Sequence, residues 1–359
     1  KQLVAVPISI KSFITTSLFS WTSKFKILTE AFKRNKPMGD EESISQFIIR
    51  RFGKEVLDYA VNPFIAGTYA GDPDSLSVDH SFPLLSNTER EHGSIIGGFF
   101  KNRKQNIPHK IKRRTISFPK GVAELTHKLS NYLSECIHQN ATISDISTSD
   151  DLFTLTYTQN GKMETSSFDE IICTVPAYSL KNITIDGKKY PDFEELGEII
   201  YPPVVSISLG YKTEHIPHSL EGFGALVPKC EKLNILGVLF SSSLFNNRAP
   251  KDHSLLTIFM GGARQPELSL LPESKLIKLA CTDLKTLLEI LAEPVFTHQT
   301  LWKKAIPQYH VGYGHYKSLM NMVEAKLPGF HFAGNYVNGI SIQDTILSSM
   351  NLVKQKLDN

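Results

Sequence analysis

The chain contains no G-x-G-x-x-G. The glycine-rich turn that opens a dinucleotide-binding βαβ unit is therefore not in it. It also lacks G-x-S-x-G, H-E-x-x-H and a P-loop, and its 12 histidines show no metal-ligand spacing. Hydrolytic and metal chemistry are left without a signature. Cysteine is scarce: Cys136, Cys173, Cys230 and Cys281 stand far apart, with no C-x-x-C. That pattern excludes a zinc site and a disulfide framework, and reads as four reduced thiols. No uncharged apolar run reaches the roughly 18 residues of a spanning helix. A net charge of +3 is too small to demand nucleic acid. What is present is a 359-residue chain, 41% hydrophobic, enough for roughly two or three domains with real cores. It begins at Lys1 with no cleavage signature up to Ser20, which reads as a processed chain or a fragment.

The first block, to about Asn106, reads as helical. A short helix is expected over Lys24 to Arg34. Ser43-Ile44-Ser45-Gln46 is a capping-box pattern ahead of Phe47, Ile48 and Ile49. That helix is expected to run to Tyr59, with Pro63 ending it and a loop of small residues from Ala66 to Asp74. Eight Lys or Arg residues lie between Phe100 and Lys120, and no Asp or Glu occurs from His92 to Ala123. Such segregation fits either a solvated loop or a surface facing anionic lipid.

Gly121 to Ile137 reads as a helix with Val122, Leu125, Leu129, Tyr132, Leu133 and Cys136 on one face. Strands are expected over Ala141 to Ser147, Leu152 to Thr158 and Ile171 to Val175, the last inside a buried run from Phe168 to Pro176. From Val204 onward the pattern turns β-rich. Val205, Ile207, Leu209 and Tyr211 alternate with polar or small residues, and Leu233 to Phe240 and Leu255 to Met260 are further strands. Pro272 to Leu291 reads as a helix and Trp302 to Tyr309 as a loop. Ser341 to Leu357 reads as an amphipathic helix with Ile342, Ile346, Leu347, Met350, Val353 and Leu357 facing inward.

The segment Phe332 to Asp344 (Phe-Ala-Gly-Asn-Tyr-Val-Asn-Gly-Ile-Ser-Ile-Gln-Asp) is a strand end, a glycine turn and a helix start. Such a turn aims backbone N–H groups and the positive end of a helix dipole at an anion or an electron-rich ring. Taken alone it also fits a plain turn. Trp302 to Tyr309, ending 25 residues before Gly334, would suit a lid over a planar cofactor.

At this point the chain resembles the protoporphyrinogen IX oxidase family, within the wider flavin amine oxidase and carotene desaturase group. The run Asn62-Pro63-Phe64-Ile65-Ala66-Gly67-Thr68-Tyr69-Ala70-Gly71-Asp72-Pro73 is similar to that family's most distinctive block, which spans Phe52 to Ser77 here. Leu239 to Pro250, then Phe259-Met260-Gly261-Gly262, Ala305-Ile306-Pro307-Gln308-Tyr309 and Leu327-Pro328-Gly329-Phe330 match in the same order.

The resemblance implies an α/β (α+β) fold in four stretches. A helical membrane-binding domain and substrate-site wall would span 1–110, and a mixed β-sheet substrate domain 177–300. An FAD-binding Rossmann-like domain would be split over 111–176 and 301–359. Its N-terminal part, on the order of a hundred residues with the glycine-rich turn, is expected ahead of Lys1. An arginine for a substrate propionate is expected immediately upstream of Lys1.

FAD is the implied cofactor, bordered by Gly334, Ile340, Ser341 and Ile342, with Trp302 in the flavin pocket and Ile143 against the adenine end. Leu226 and Leu239 would sandwich one pyrrole ring, and Phe259 would stack on another. The carbonyl of Gly67 would face the substrate near flavin N5. Without the resemblance, Leu226, Leu239 and Phe259 read as plain strand core.

The implied activity is the six-electron oxidation of protoporphyrinogen IX. Oxygen or a quinone would be the acceptor, and oxygen would give hydrogen peroxide. Implied partners are a peripheral membrane surface, at the inner face of a bacterial cytoplasmic membrane, and a homodimer. No metal and no nucleic acid are implied. Two rivals stand beside this reading: an amine oxidase or carotenoid desaturase of the same group, and an apo fragment that binds porphyrin or membrane without turnover.

Overall fold

The computed structural model describes residues 3–32, 41–105, 115–149 and 152–357. In chain order the strands are β1 (Ala141–Ser149), β2 (Leu152–Gln159), β3 (Lys162–Phe168), β4 (Ile171–Cys173), β5 (Thr184–Ile185), β6 (Lys188–Lys189), β7 (Val204–Lys212), β8 (Gly224–Leu226), β9 (Ile235–Leu239), β10 (His253–Gly261), β11 (Phe296–Trp302) and β12 (Phe330–Phe332). The class is mixed α/β. The chain forms two compact units, one from Lys1–Pro119 and Tyr201–Ile306, the other from Lys120–Ile200 and Pro307–Asn359.

In the first unit, β11-β7-β10-β9-β8 form one antiparallel sheet. Val205, Ile207, Leu209 and Tyr211 are buried, as the alternation required, together with Leu256, Ile258 and Met260 on β10. A two-residue period puts all of them on one face. The Glu273–Leu288 helix covers that face with Leu276, Ala280, Leu284 and Leu288. Its buried Asp283 accepts hydrogen bonds from the N–H groups of Asn234 (2.7 Å) and Ile235 (3.0 Å), which pins it to the start of β9. The opposite face of the sheet carries Ser206, Ser208, Thr257 and Phe259. β11, which the sequence pattern missed, is an edge strand paired with β7.

The helices of this unit depart from expectation in informative ways. After a short helix over Ile10–Thr15 comes Trp21–Glu30; residues 33 and 34 of the expected Lys24 to Arg34 helix lie outside the described residues. Ser43 and Gln46 form the capping box, with Gln46 N–H on Ser43 Oγ at 3.2 Å and Ser43 N–H on Gln46 Oε1 at 2.9 Å. The helix they open is Ile44–Arg51 and stops at Phe52, because Gly53 turns the chain at φ 97°. A single turn (Lys54–Val56) and a π-turn (Leu57–Val61) follow, then a helix over Asn62–Tyr69. Pro63 opens that last helix instead of ending one, since a proline in a first turn gives up no helical hydrogen bond. The helix ends at Ala70, in the left-handed region at φ 50°.

A buried charge cluster ties this block together. Arg51 pairs with Glu30 at 3.4 Å and with Glu89, and Arg50 bridges Glu42 and Glu89. Glu30 also accepts from Ile95 N–H, Ile96 N–H and Ser94 Oγ at 2.9–3.0 Å, anchoring the start of the Ile95–Gln105 helix. Trp21, Phe25 and Leu28 form an exposed apolar stripe along one face of the Trp21–Glu30 helix, continued by exposed Phe32 in the turn after it. Half of the eight basic residues of that segment, Lys110, Lys112, Arg113 and Arg114, lie outside the described residues.

The second unit has a mixed sheet, β3-β2-β1-β5-β6, and a parallel pair, β4 with β12. Phe193, Phe330, Phe332 and Tyr336 cluster around that pair. β3 was not expected from sequence, and its residues are mostly exposed. The Ala123–Tyr132, Tyr313–Lys326 and Ile342–Leu357 helices complete the unit. The expectation for the last of these is overturned. Ile342, Ile346, Leu347, Met350, Val353 and Leu357 are 45–82% exposed. Its amphipathic pattern is real, but helices normally cover a parallel sheet wider than the two strands β4 and β12 provide. No helix among the described residues is long and apolar enough to cross a membrane.

Candidate active site

Register brings the three apolar candidates of the first unit onto one surface. Leu226 pairs with Gly237, and Gly237 pairs with Phe259. In the next row Gly224 pairs with Leu239, and Leu239 with Thr257. Residues paired across strands share a face, so Leu226, Leu239 and Phe259 stand together on the side away from the core. They are not core residues: Leu226 and Leu239 are exposed and Phe259 is half-buried.

Gly67 faces the same wall. A Cβ at residue 67 would lie 2.4 Å from Leu226 Cδ2, so any larger residue there would have to push the Leu226 side chain off its place in the wall. Gly237 was not singled out by sequence. A Cβ there would lie 2.8 Å from Ala225 O and 3.2 Å from Leu226 Cδ2. Its bare backbone leaves a gap between Leu226 and Phe259. The only signal in the sequence was a glycine inside an apolar strand. Trp302 ends β11 opposite Val204 and is exposed. It belongs to this first unit, whereas the other cofactor candidates lie in the second.

In the second unit the turn after β12 is built as the sequence implied. Ala333 N–H bonds Cys173 O at 2.9 Å, then Gly334 takes φ 115° and Gly339 φ 83°. Ser341 Oγ accepts from Asp344 N–H at 3.0 Å and donates to the Asp344 carboxylate at 2.6 Å, capping the Ile342–Leu357 helix. The N–H groups of Ile342 and Gln343 find no partner among the described residues. Open N–H groups at the positive end of a helix fit an anion or the electron-rich edge of a flavin ring. Ile143 lies in the mixed sheet, half-buried on β1 opposite Tyr157, at a break in the β1–β2 register.

The turn is held from below by two tyrosines. Tyr309 Oη donates to Asn335 O and accepts from Gly339 N–H at 3.0 Å. Tyr313 Oη donates to Tyr336 O at 2.6 Å, and the two rings lie 4.5 Å apart. Tyr309 is therefore a buried support, not part of a lid. Its position near Gly334 in sequence gave the right neighbourhood but the wrong role.

Among the described residues, the wall of Leu226, Leu239 and Phe259 carries no acid or base. Burial pushes the Cys173 thiol up to about 11, which leaves it inert as a nucleophile. Among the described residues no group of His, Cys, Asp and Glu could hold a metal ion. An apolar wall can exclude water and an N–H-lined turn can face an anion; neither supplies chemistry of its own.

The family model for flavin containing amine oxidoreductase matches residues 1–354. The chain is 34% identical over 382 residues to protoporphyrinogen oxidase 2, chloroplastic/mitochondrial, of Arabidopsis thaliana, covering 96% of this chain and 74% of that protein. It is 26% identical over 350 residues to coproporphyrinogen III oxidase of Bacillus subtilis, with 96% and 73% covered. A solved structure from Exiguobacterium, provisionally assigned as a protoporphyrinogen oxidase, superposes with a TM-score of 0.74 at 20% identity, over 99% of this chain and 77% of that one. The chain belongs to the flavin-containing amine oxidoreductase family and is a flavin-dependent oxidoreductase.

Proposed function

We propose that the protein oxidises protoporphyrinogen IX to protoporphyrin IX, with FAD as its flavin. The observation that carries this reading is the open wall of Leu226, Leu239 and Phe259 with Gly67 against it. A large, flexible, mostly apolar macrocycle needs such a surface, which excludes water and fixes the ring edge. FAD, when bound, would supply the redox chemistry as the two-electron acceptor. With oxygen as acceptor, three O2 become three H2O2 as the substrate loses six electrons and six protons.

The chain's own residues bind and orient. Leu226 and Leu239 grip one pyrrole, and Phe259 stacks on another. The Gly67 carbonyl faces the reacting carbon. In the second unit Gly334, Ile340, Ser341 and Ile342 would hold the flavin, with Trp302 and Ile143 as further contacts. The N–H groups at the helix start favour negative charge on the reduced ring. The exposed stripe of Trp21, Phe25, Leu28 and Phe32 supports peripheral attachment to a membrane surface, where an apolar substrate is found.

The test is a side-by-side assay of the flavin-loaded protein. Protoporphyrinogen IX, coproporphyrinogen III, an amine and a carotenoid are supplied, and porphyrin fluorescence and peroxide are followed. Protoporphyrin is the expected product. Turnover of only the amine or the carotenoid sinks the reading. Preference for coproporphyrinogen III moves the substrate to that of the Bacillus relative.

A further inference from the structure

One side-chain oxygen in the first unit joins three segments that are remote in sequence. Asn62 Oδ1, at the start of the helix that carries Gly67, accepts from Arg264 Nη2 at 2.8 Å and from Lys229 N–H at 3.1 Å. Arg264 Nη1 donates to Val227 O at 2.8 Å. Arg264 follows β10, the strand of Phe259, and Val227 follows Leu226 directly. The other end of the helix meets the same loop: Ala263 N–H donates to Ala70 O at 2.7 Å. A Cβ on Gly262 would lie 2.6 Å from that oxygen, so the loop must be glycine there to come so close.

Both ends of the Asn62–Tyr69 helix are thus tied to the loop between Gly262 and Arg264. The preceding π-turn, Leu57–Val61, shifts the phase of the helix just before Asn62. No carboxylate among the described residues lies within 4 Å of Arg264. Burial pulls its guanidinium below its ordinary value. Its hydrogen bonds go to neutral acceptors, and Asp72 acts on it only through space. Its planar fork is what lets one side chain reach both acceptors, which a lysine cannot do.

We propose that Arg264 is a positioning residue that, through Asn62 and Val227, sets the spacing of Gly67, Leu226 and Phe259 around the substrate. It touches none of the reacting atoms. The inference rests on the tetrapyrrole reading, and it assigns to each group a different kinetic signature. Phe259 contributes binding area, so its loss acts on KM. The clamp contributes alignment, and misalignment on the ångström scale acts on kcat.

The test compares Arg264→Met, Asn62→Leu and the double variant as flavin-loaded protein, with kcat expressed per bound flavin. Each single variant should lose about tenfold or more in kcat with KM within about threefold, and the double should lose no more than the worse single, because the two share one tie. Unchanged kcat per flavin in both singles overturns the proposal and leaves a purely structural tie. A raised KM at unchanged kcat also overturns it, showing that Arg264 binds substrate directly. Should Arg264→Met not fold, Arg264→Lys keeps the charge but not the fork, and the same two ratios decide. A wild-type protein that leaves the tetrapyrrole untouched sinks the substrate reading instead; the ratios are then read on whatever substrate it does oxidise.

Discussion

Tyr309 Oη lies 3.0 Å from the N–H of Gly339, thirty residues further along the chain. The same hydroxyl donates to Asn335 O. One phenol therefore closes both sides of the turn that begins at Gly334. Tyr309→Phe keeps the packing and removes both bonds. At about 1 kcal/mol each, their loss should weaken FAD binding about tenfold or more, read by titrating apo-protein with FAD and following flavin fluorescence. An unchanged dissociation constant would show that the turn holds its shape without the hydroxyl.

Phe259 offers a ring on the open face of the sheet. Phe259→Ala removes an area worth about 1.5–3 kcal/mol on full burial. The apparent KM for the tetrapyrrole should rise by about tenfold or more, with flavin content intact. Loss of flavin instead would mean that the residue serves the cofactor.

Gly67 has no room for a methyl group, since its Cβ would sit 2.4 Å from Leu226 Cδ2. Gly67→Ala should lower kcat/KM by about tenfold or more, in the range of overpacking strain. Adding Leu226→Ala to Gly67→Ala should recover part of the loss, because it clears the clash. A silent single variant would refute the close approach.

The stripe of Trp21, Phe25, Leu28 and Phe32 is fully testable by charge. Phe25→Glu with Leu28→Glu should abolish co-sedimentation with vesicles containing anionic lipid while leaving the folded state intact, because both side chains are already exposed. A blue shift of Trp21 emission on adding vesicles should vanish with it. Binding that survives the double substitution places the membrane contact elsewhere.

Arg51 is wholly buried between Glu30 and Glu89. Arg51→Met takes the cation from buried Glu30 and leaves Glu89 with Arg50 alone, and should cost about 3–5 kcal/mol. A urea midpoint within error of wild type would show that water reaches the cluster.

Sequence alone carried much of the first unit's sheet, because Val205, Ile207, Leu209 and Tyr211 obey a strict alternation. The capping box at Ser43 carried the start of its helix equally well. It failed where the local pattern does not distinguish outcomes. Pro63 can end one helix or open the next, and only the π-turn before it decides. β3 has no apolar alternation because both its faces are largely open. Tyr309 looked like a lid because its burial depends on a contact to residues that spacing cannot place. The wall residues were legible only through resemblance: an exposed Leu226 and a buried leucine look alike in sequence, Gly237 was marked only as a glycine inside an apolar strand, and Arg264 carried no mark.

The division of the chain has a consequence for its biogenesis. Neither unit is one continuous stretch, since each is assembled from two segments separated by part of the other. The Asn62–Arg264 tie alone closes a loop of 202 residues. Such long-range closure makes folding slow and late. The sheet of the first unit is not complete until its edge strand β11 has left the ribosome. The helical block emerges long before its partners, with its apolar stripe bare, so a chaperone or a nearby bilayer would have its longest opportunity to act during synthesis.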